Sequence, residues 1–200
     1  NDEHYRLDGQ DDYITISGGT PHAIFNGTQT LVSLLKKQTI PAKFENIAIN
    51  DYPDLLYRGM MLDIARNFTK KADLLKLINQ LAAYKINVLH FHFSDDEAWR
   101  LEIPGLEELT AIGSRRGFTE DESQRLYPVY YGGWNPNDTT ATANGYYTRE
   151  DFIEVLQYAA KRHITVIPEI ESPGHARAAI KAMEARFNRC LLYTSDAADD

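Results

Sequence analysis

The chain has 200 residues, a formal net charge of −8 and a sequence pI near 5.2, with 43% hydrophobic and 25% charged residues. That apolar content offsets chain entropy and excludes a disordered chain, while the acidic balance argues against a nucleic-acid partner, which needs a basic face. No run approaches 18 apolar residues, so no membrane span is expected, and the single cysteine cannot build an internal disulfide framework.

The sequence opens at Asn1 without a charged-then-apolar leader. Tyr13 to Ser17 (YITIS) alternates β-branched and aromatic residues and predicts a short strand. Thr20-Pro21 reads as a helix cap followed by proline at the first helical position. Ile24, Thr28, Leu31, Val32 and Leu35 then share one stripe, and Lys36-Lys37 closes the helix with favourable charge for its dipole. Ile47 to Ile49 suits a return strand and residues 50–54 (NDYPD) a turn or linker. Residues 1–54 therefore read as the C-terminal part of a small α+β domain.

From Tyr57 the pattern becomes strand, helix, strand. Met60 to Ile64 is a candidate buried strand. Thr69 can cap a helix from about Lys70 to Tyr84 with Leu74, Ile78 and Leu81 inward. Asn87 to Ser94 (NVLHFHFS) predicts a second strand. Thr148 to Asp151 fits a capping box ahead of a helix whose apolar face is Phe152, Val155, Leu156 and Ala159. Ile164 to Ile170 predicts a third strand, and a last helix from Ala176 to about Phe187 carries Ile180, Met183 and Phe187 inward. Strands alternating with amphipathic helices imply parallel βα units. More than 50 residues separate the second strand from the next helix, and long loops in compact domains are usually functional or mobile.

The last eleven residues, 190–200 (CLLYTSDAADD), resemble the translation of a transposon-end adapter used in preparing DNA sequencing libraries, and are expected to be foreign to the protein. Without Asp196, Asp199 and Asp200 the charge softens from −8 by three to −5, and the only cysteine, Cys190, is lost.

Polar residues collect at the ends of all three strands. Arg66 follows the first, Asp95, Asp96 and Glu97 follow the second, and Glu169, Glu171 and His175 lie on or after the third. Polar groups from three strands meeting at one rim is the active-site pattern of a parallel barrel. His90 and His92 stand two apart on a strand and so face the same way. They suit either a metal site or a pair hydrogen-bonded in a polar interior.

Three stretches, 57–68 (YRGMMLDIARNF), 87–103 (NVLHFHFSDDEAWRLEI) and 166–176 (VIPEIESPGHA), resemble glycoside hydrolase family 20, the β-N-acetylhexosaminidases. The resemblance runs from about Leu55 to Arg189, and more weakly over Tyr5 to Asp54. It implies an α/β fold: the first three βα units of a (β/α)8 barrel over residues 55–189, preceded by the α/β domain that comes before the family's barrel. It implies retaining, substrate-assisted removal of terminal N-acetylglucosamine or N-acetylgalactosamine from oligosaccharides, with no cofactor. Residue by residue, Arg66 matches the arginine that binds hydroxyls of the terminal sugar. Asp95 matches the carboxylate beneath the catalytic acid, and His175 the histidine in the same network. Glu171, where the family often has aspartate, falls with the substrate-binding residues.

The family's catalytic Asp-Glu pair follows the fourth strand, and neither Asp121-Glu122 nor Asp199-Asp200 stands in that place. The chain by itself is therefore expected to be inactive and its parent an active hexosaminidase. The family's habits imply export or a periplasmic site. Two other readings stay open: a metal-dependent amidohydrolase built on His90 and His92, and a catalytically dead glycan binder. Asn26, Asn67 and Asn137 begin N-x-T sequons.

Overall fold

In a computed structural model, the structure describes residues 2–10, 13–36, 46–129, 132–135, 138 and 140–196, with side chains up to residue 190. Lys37, Asn137 and residues 197–200, which carry some of the expectations above, lie outside the described residues. The chain divides into two compact units, residues 1–60, 75–89 and 158–165, and residues 61–74, 90–157 and 166–200.

In the first unit, β1 (Tyr5–Gln10) is the central strand of an antiparallel sheet in the order β2 (Tyr13–Gly18), β1, β3 (Ile47–Asp51). Tyr5 faces Gly18 on one side and Asp51 on the other. Helix α1 (Pro21–Leu35) starts as expected, with the Ala23 amide donating to Thr20 Oγ1 at 3.1 Å. Its buried face is not the expected one. Ala23, Asn26 and Gly27 are buried, while Ile24, Val32 and Leu35 are exposed. Small residues win because they let the helix close on the sheet: a Cβ on Gly27 would meet Ile16 Cγ2 at 2.6 Å and the Tyr5 ring at 2.9 Å. Tyr5, Leu7 and Ala23 form the core there, with Ile16, Leu31, Ile47 and Ile49 against it.

A part-buried ion pair ties this unit together. Arg58 Nη2 lies 2.5 Å from Glu3 Oε2, Asn26 Nδ2 donates to the same oxygen at 2.9 Å, and Arg58 Nε donates to the Lys85 carbonyl at 2.7 Å. Burial opposes ionisation of Glu3, but the hydrogen bonds from Arg58 and Asn26 hold its carboxyl below the ordinary value.

The second sheet has the order β4 (Gly59–Asp63), β5 (Val88–His92), β6 (Thr165–Glu169). The Asn87 amide donates to the Arg58 carbonyl and, further along both strands, the Ile64 amide to the His92 carbonyl, so β4 and β5 are parallel. Helix α2 (Lys71–Ala83) buries Leu74, Ile78 and Leu81 as expected. Lys70 opens it, its carbonyl accepting the Leu74 amide, while the Thr69 carbonyl takes the Tyr147 hydroxyl instead. The short helix α3 (Glu108–Ala111) lies in the long connection. The capping box of α4 (Arg149–Ala160) forms reciprocally, Asp151 N to Thr148 Oγ1 at 3.1 Å and Thr148 N to Asp151 Oδ2 at 3.2 Å.

Helix α5 (Arg177–Asp196) runs past Phe187, because no glycine or proline follows to stop it. It buries Ala178 and Ala182 against Trp99, Leu109 and Leu126, with Met183 packed at the margin. Ile180 and Phe187, expected inside, are 51% and 62% exposed. The alternation of β5 decides what faces the site. Phe91 packs against Phe93 and Tyr147, and His90 and His92 point to the opposite side. Among the described residues no helix is long and apolar enough to cross a membrane.

Candidate active site

Arg66 leaves β4 on a turn made by Asp63, whose Oδ1 accepts the amides of Ala65 (2.9 Å) and Arg66 (3.2 Å). The guanidinium then meets three carboxylates: Nη1 to Asp63 Oδ2 at 2.6 Å, Nη2 to Asp95 Oδ2 at 2.5 Å and Nε to Glu97 Oε2 at 3.2 Å. These carboxylates overcome the effect of burial and raise the Arg66 pKa above its ordinary value. A guanidinium carries five N–H groups, so two remain for other acceptors, on a side chain 35% exposed.

Asp95 is the hub. Its side chain is 1% exposed, and Oδ1 accepts the Asp96 amide at 2.7 Å while Oδ2 lies 3.0 Å from His92 Nε2. His175 Nδ1 approaches Oδ1 at 3.3 Å. Burial alone would raise this carboxyl. The Asp96 amide, His92, Arg66 and Glu97 together outweigh it and hold Asp95 below the ordinary carboxylate value. His175 arrives on a loop with a left-handed backbone (φ 49°), and Arg177, at the start of α5, donates its amide to Asp96 Oδ1 at 3.1 Å.

His92 joins this hub to a second cluster. Its Nδ1 is 3.2 Å from Glu169 Oε1, and His90 Nε2 is 2.6 Å from Glu169 Oε2, both within ion-pair distance. Burial of Glu169 is outweighed by its hydrogen bonds with Glu171 and His92, which keep its carboxyl below the usual range. The Glu171 amide donates to Ser94 Oγ at 2.9 Å. Two sets have ligand atoms within 4.8 Å of one another, His92–Glu169–Glu171 and Asp95–Asp96–His175. Of the His-x-His pair, His92 hydrogen-bonds Asp95 through Nε2, and His90 lies within ion-pair distance of Glu169.

The structure thus brings Arg66, Asp95 and His175 together and sets Glu171 beside Glu169 and His92. Trp99 is buried, its Nε1 donating to the Leu101 carbonyl at 2.5 Å. Asn26 is buried and bonded to Glu3, so its sequon is not presented for modification.

Two family profiles cover this architecture. The one described as glycosyl hydrolase family 20, catalytic domain, matches residues 55–199, and the one described as glycosyl hydrolase family 20, domain 2, matches residues 1–52. The chain belongs to glycoside hydrolase family 20. It is 44% identical to β-hexosaminidase B of Pseudoalteromonas piscicida over 188 residues, covering 94% of this chain and 24% of that protein. It is 42% identical to the N,N'-diacetylchitobiase of Vibrio harveyi, covering 94% and 21%. Among solved structures it resembles the family-20 exo-β-N-acetylglucosaminidase of Vibrio harveyi in complex with N-acetylglucosamine, with a TM-score of 0.79 at 38% identity over 92% of this chain and 28% of that one. The chain spans about a quarter of the length of the curated relatives it matches.

Some partners of this candidate site had no role assigned from the sequence. Glu97 shares Arg66 with Asp95, and His92 links the two clusters. Arg116 and Glu122 belong to the long connection. Arg116 Nη1 donates to the Tyr127 carbonyl at 2.9 Å, and buried Glu122 pairs with Arg177 and accepts the Tyr127 amide at 2.8 Å. The available signal was a set of charged residues, Arg100, Arg116 and Glu122, inside a connection otherwise read as a loop.

Proposed function

We propose that this chain forms the sugar-binding and acid-supporting side of a β-N-acetylhexosaminidase acting on glycans that end in N-acetylglucosamine or N-acetylgalactosamine. One observation carries the reading: a buried Asp95 joins Arg66 from one strand end to His175 from beyond another. Arg66 offers its two remaining N–H groups to neighbouring hydroxyls of the terminal sugar, a geometry suited to its planar fork. The sugar's own acetamido oxygen attacks the anomeric carbon as the glycosidic C–O bond breaks. The leaving oxygen takes a proton from a carboxylic acid, and water then opens the oxazolinium-type intermediate with retention. An intramolecular nucleophile avoids the entropy cost of bringing in a second reactant. Asp95, held as an anion, raises the pKa of a carboxylic acid placed above it and keeps that acid protonated near neutral pH. Export belongs to the same proposal, since polymeric glycans are met outside the cytoplasm.

The test is a hybrid in which residues 1–189 replace the matching stretch of the Pseudoalteromonas piscicida β-hexosaminidase B, assayed on an aryl N-acetyl-β-glucosaminide. Turnover that survives in the hybrid and is lost on Asp95→Ala supports the reading. A folded hybrid without turnover, or full activity in Asp95→Ala, overturns it. The 200-residue chain alone is expected to be inert.

A further inference from the structure

Arg100 is the largest fully buried side chain among the described residues, 1% exposed, and none of their carboxylates lies within hydrogen-bond reach of it. A cation buried without a counter-ion is costly unless every donor is satisfied. Here every donor is. Nε donates to the Ile64 carbonyl at 3.0 Å, and Nη2 to Ala65 at 2.9 Å and Ala143 at 3.0 Å. Nη1 donates to Gly145 at 2.9 Å and Ser114 at 3.4 Å. Five N–H groups meet five backbone carbonyls. Burial and nearby Arg116 pull the guanidinium down to about 9, so it stays charged at neutral pH.

The five carbonyls belong to two segments. Ile64 and Ala65 immediately precede Arg66, and Ser114, Ala143 and Gly145 lie on the long connection between β5 and α4. The connection reinforces the same place: the Phe68 amide donates to the Thr142 carbonyl at 2.7 Å, and Thr142 Oγ1 bonds Asn67 Oδ1. Arg100 is itself pinned, its amide on the Phe93 carbonyl at 3.0 Å and its carbonyl on the Tyr147 amide at 2.8 Å. Residues 64–68 are thus stitched on both sides of Arg66.

We infer that Arg100 is a positioning residue for Arg66: it clamps the exit of β4 to the long connection and so fixes where the guanidinium of Arg66 meets the terminal sugar. The inference rests on the proposed role of Arg66 in sugar binding. It makes the connection a buttress of the sugar site. Lysine cannot replace Arg100, because three N–H groups on one atom cannot reach five carbonyls spread over two segments.

In that role Arg66 meets hydroxyls that do not react, and such contacts are the same in the ground and transition states. Their loss raises KM with kcat retained. In the hybrid enzyme, Arg100→Lys and Arg100→Ala are expected to raise KM about tenfold or more with kcat held within about threefold, since losing one hydrogen bond to a charged donor costs about tenfold to a hundredfold. Millimolar guanidinium ion, refilling the space left in Arg100→Ala, is expected to bring KM back down. A purely structural role would lower apparent kcat through lost active enzyme and leave KM alone. Gly145→Ala covers the case of poor folding. Gly145 has φ 129° and an added Cβ would strike the Phe68 ring, displacing one of the clamped carbonyls, so KM should rise here too. Unchanged KM in folded Arg100 variants overturns the inference, as does unchanged KM in Gly145→Ala when the Arg100 variants do not fold. Arg66→Lys run alongside separates the two claims. No KM effect there sinks the sugar-binding role itself, while an effect at Arg66 without one at Arg100 sinks only the positioning role.

Discussion

Replacing Arg66 with methionine in the hybrid enzyme removes the proposed sugar contacts and the counter-charge of Asp95 together, and the two can be separated. Three of the five N–H groups are committed to Asp63, Asp95 and Glu97, which leaves two for substrate hydroxyls. Hydrogen bonds to a charged group contribute about 1.5–3 kcal/mol each, so the pair accounts for about 3–6 kcal/mol. That corresponds to a loss of about 10² to 10⁴ in kcat/KM. Substrates lacking one hydroxyl of the terminal sugar at a time isolate this part. A substrate without the contacted hydroxyl has already lost one bond in the parent enzyme, so the penalty for Arg66→Met should shrink by about tenfold to a hundredfold on it. The loss of counter-charge is common to every substrate and stays. If the penalty is the same on every deoxy substrate as on the full sugar, Arg66 does not touch those hydroxyls and the assignment is wrong.

Other outcomes follow from the same geometry. Glu3→Ala removes the carboxylate partner of the part-buried Arg58 and should lower the unfolding free energy by about 1.5–3 kcal/mol, read from urea titration, with KM unchanged in the hybrid. Asp95 has a folded pKa below its unfolded value, so its contribution to stability is present above the unfolded pKa, about 3.9, and is lost as pH falls through the folded value. The urea midpoints of the parent and Asp95→Asn should therefore differ at pH 7 and converge as the solution is acidified; a gap that widens in acid contradicts the direction given for Asp95. Chelator should leave activity untouched. Inactivation by it, restored by a divalent ion, would revive the metal reading of His90 and His92.

Much of the site was legible because it sits on motifs at strand ends, where residue type and chain position together specify chemistry. The faces of helices were less legible. On α1 and α5 the apolar stripes lost to small residues, since Ala23 and Gly27, or Ala178 and Ala182, permit a closer approach than Ile24 or Ile180. Strand β1 was overlooked because Asp8, Gly9 and Gln10 mask the alternation in which Tyr5, Leu7 and Gly9 are buried. The long connection was legible as a functional loop, but not the way it acts. Its hold on Arg66 runs through backbone carbonyls of residues 114, 143 and 145, and carbonyls leave no mark on residue identity.

Electrostatics explains why carbonyls serve there. One guanidinium, that of Arg66, already faces three carboxylates, and His92 and His175 also press against Asp95. A carboxylate partner for Arg100 beside Ile64 and Ala65 would add a further negative charge close to Asp63. It would compete for Arg66 and draw it from the position from which two N–H groups remain free. Neutral acceptors satisfy Arg100 without that competition, and its charge still acts favourably on Asp63. Arg100 and Arg66 therefore keep separate sets of partners. An exchange that gave Arg100 a carboxylate should raise KM although it adds a formal ion pair to a buried cation. A lower KM would show that the clamp tightens with charge and that the separation has no functional basis.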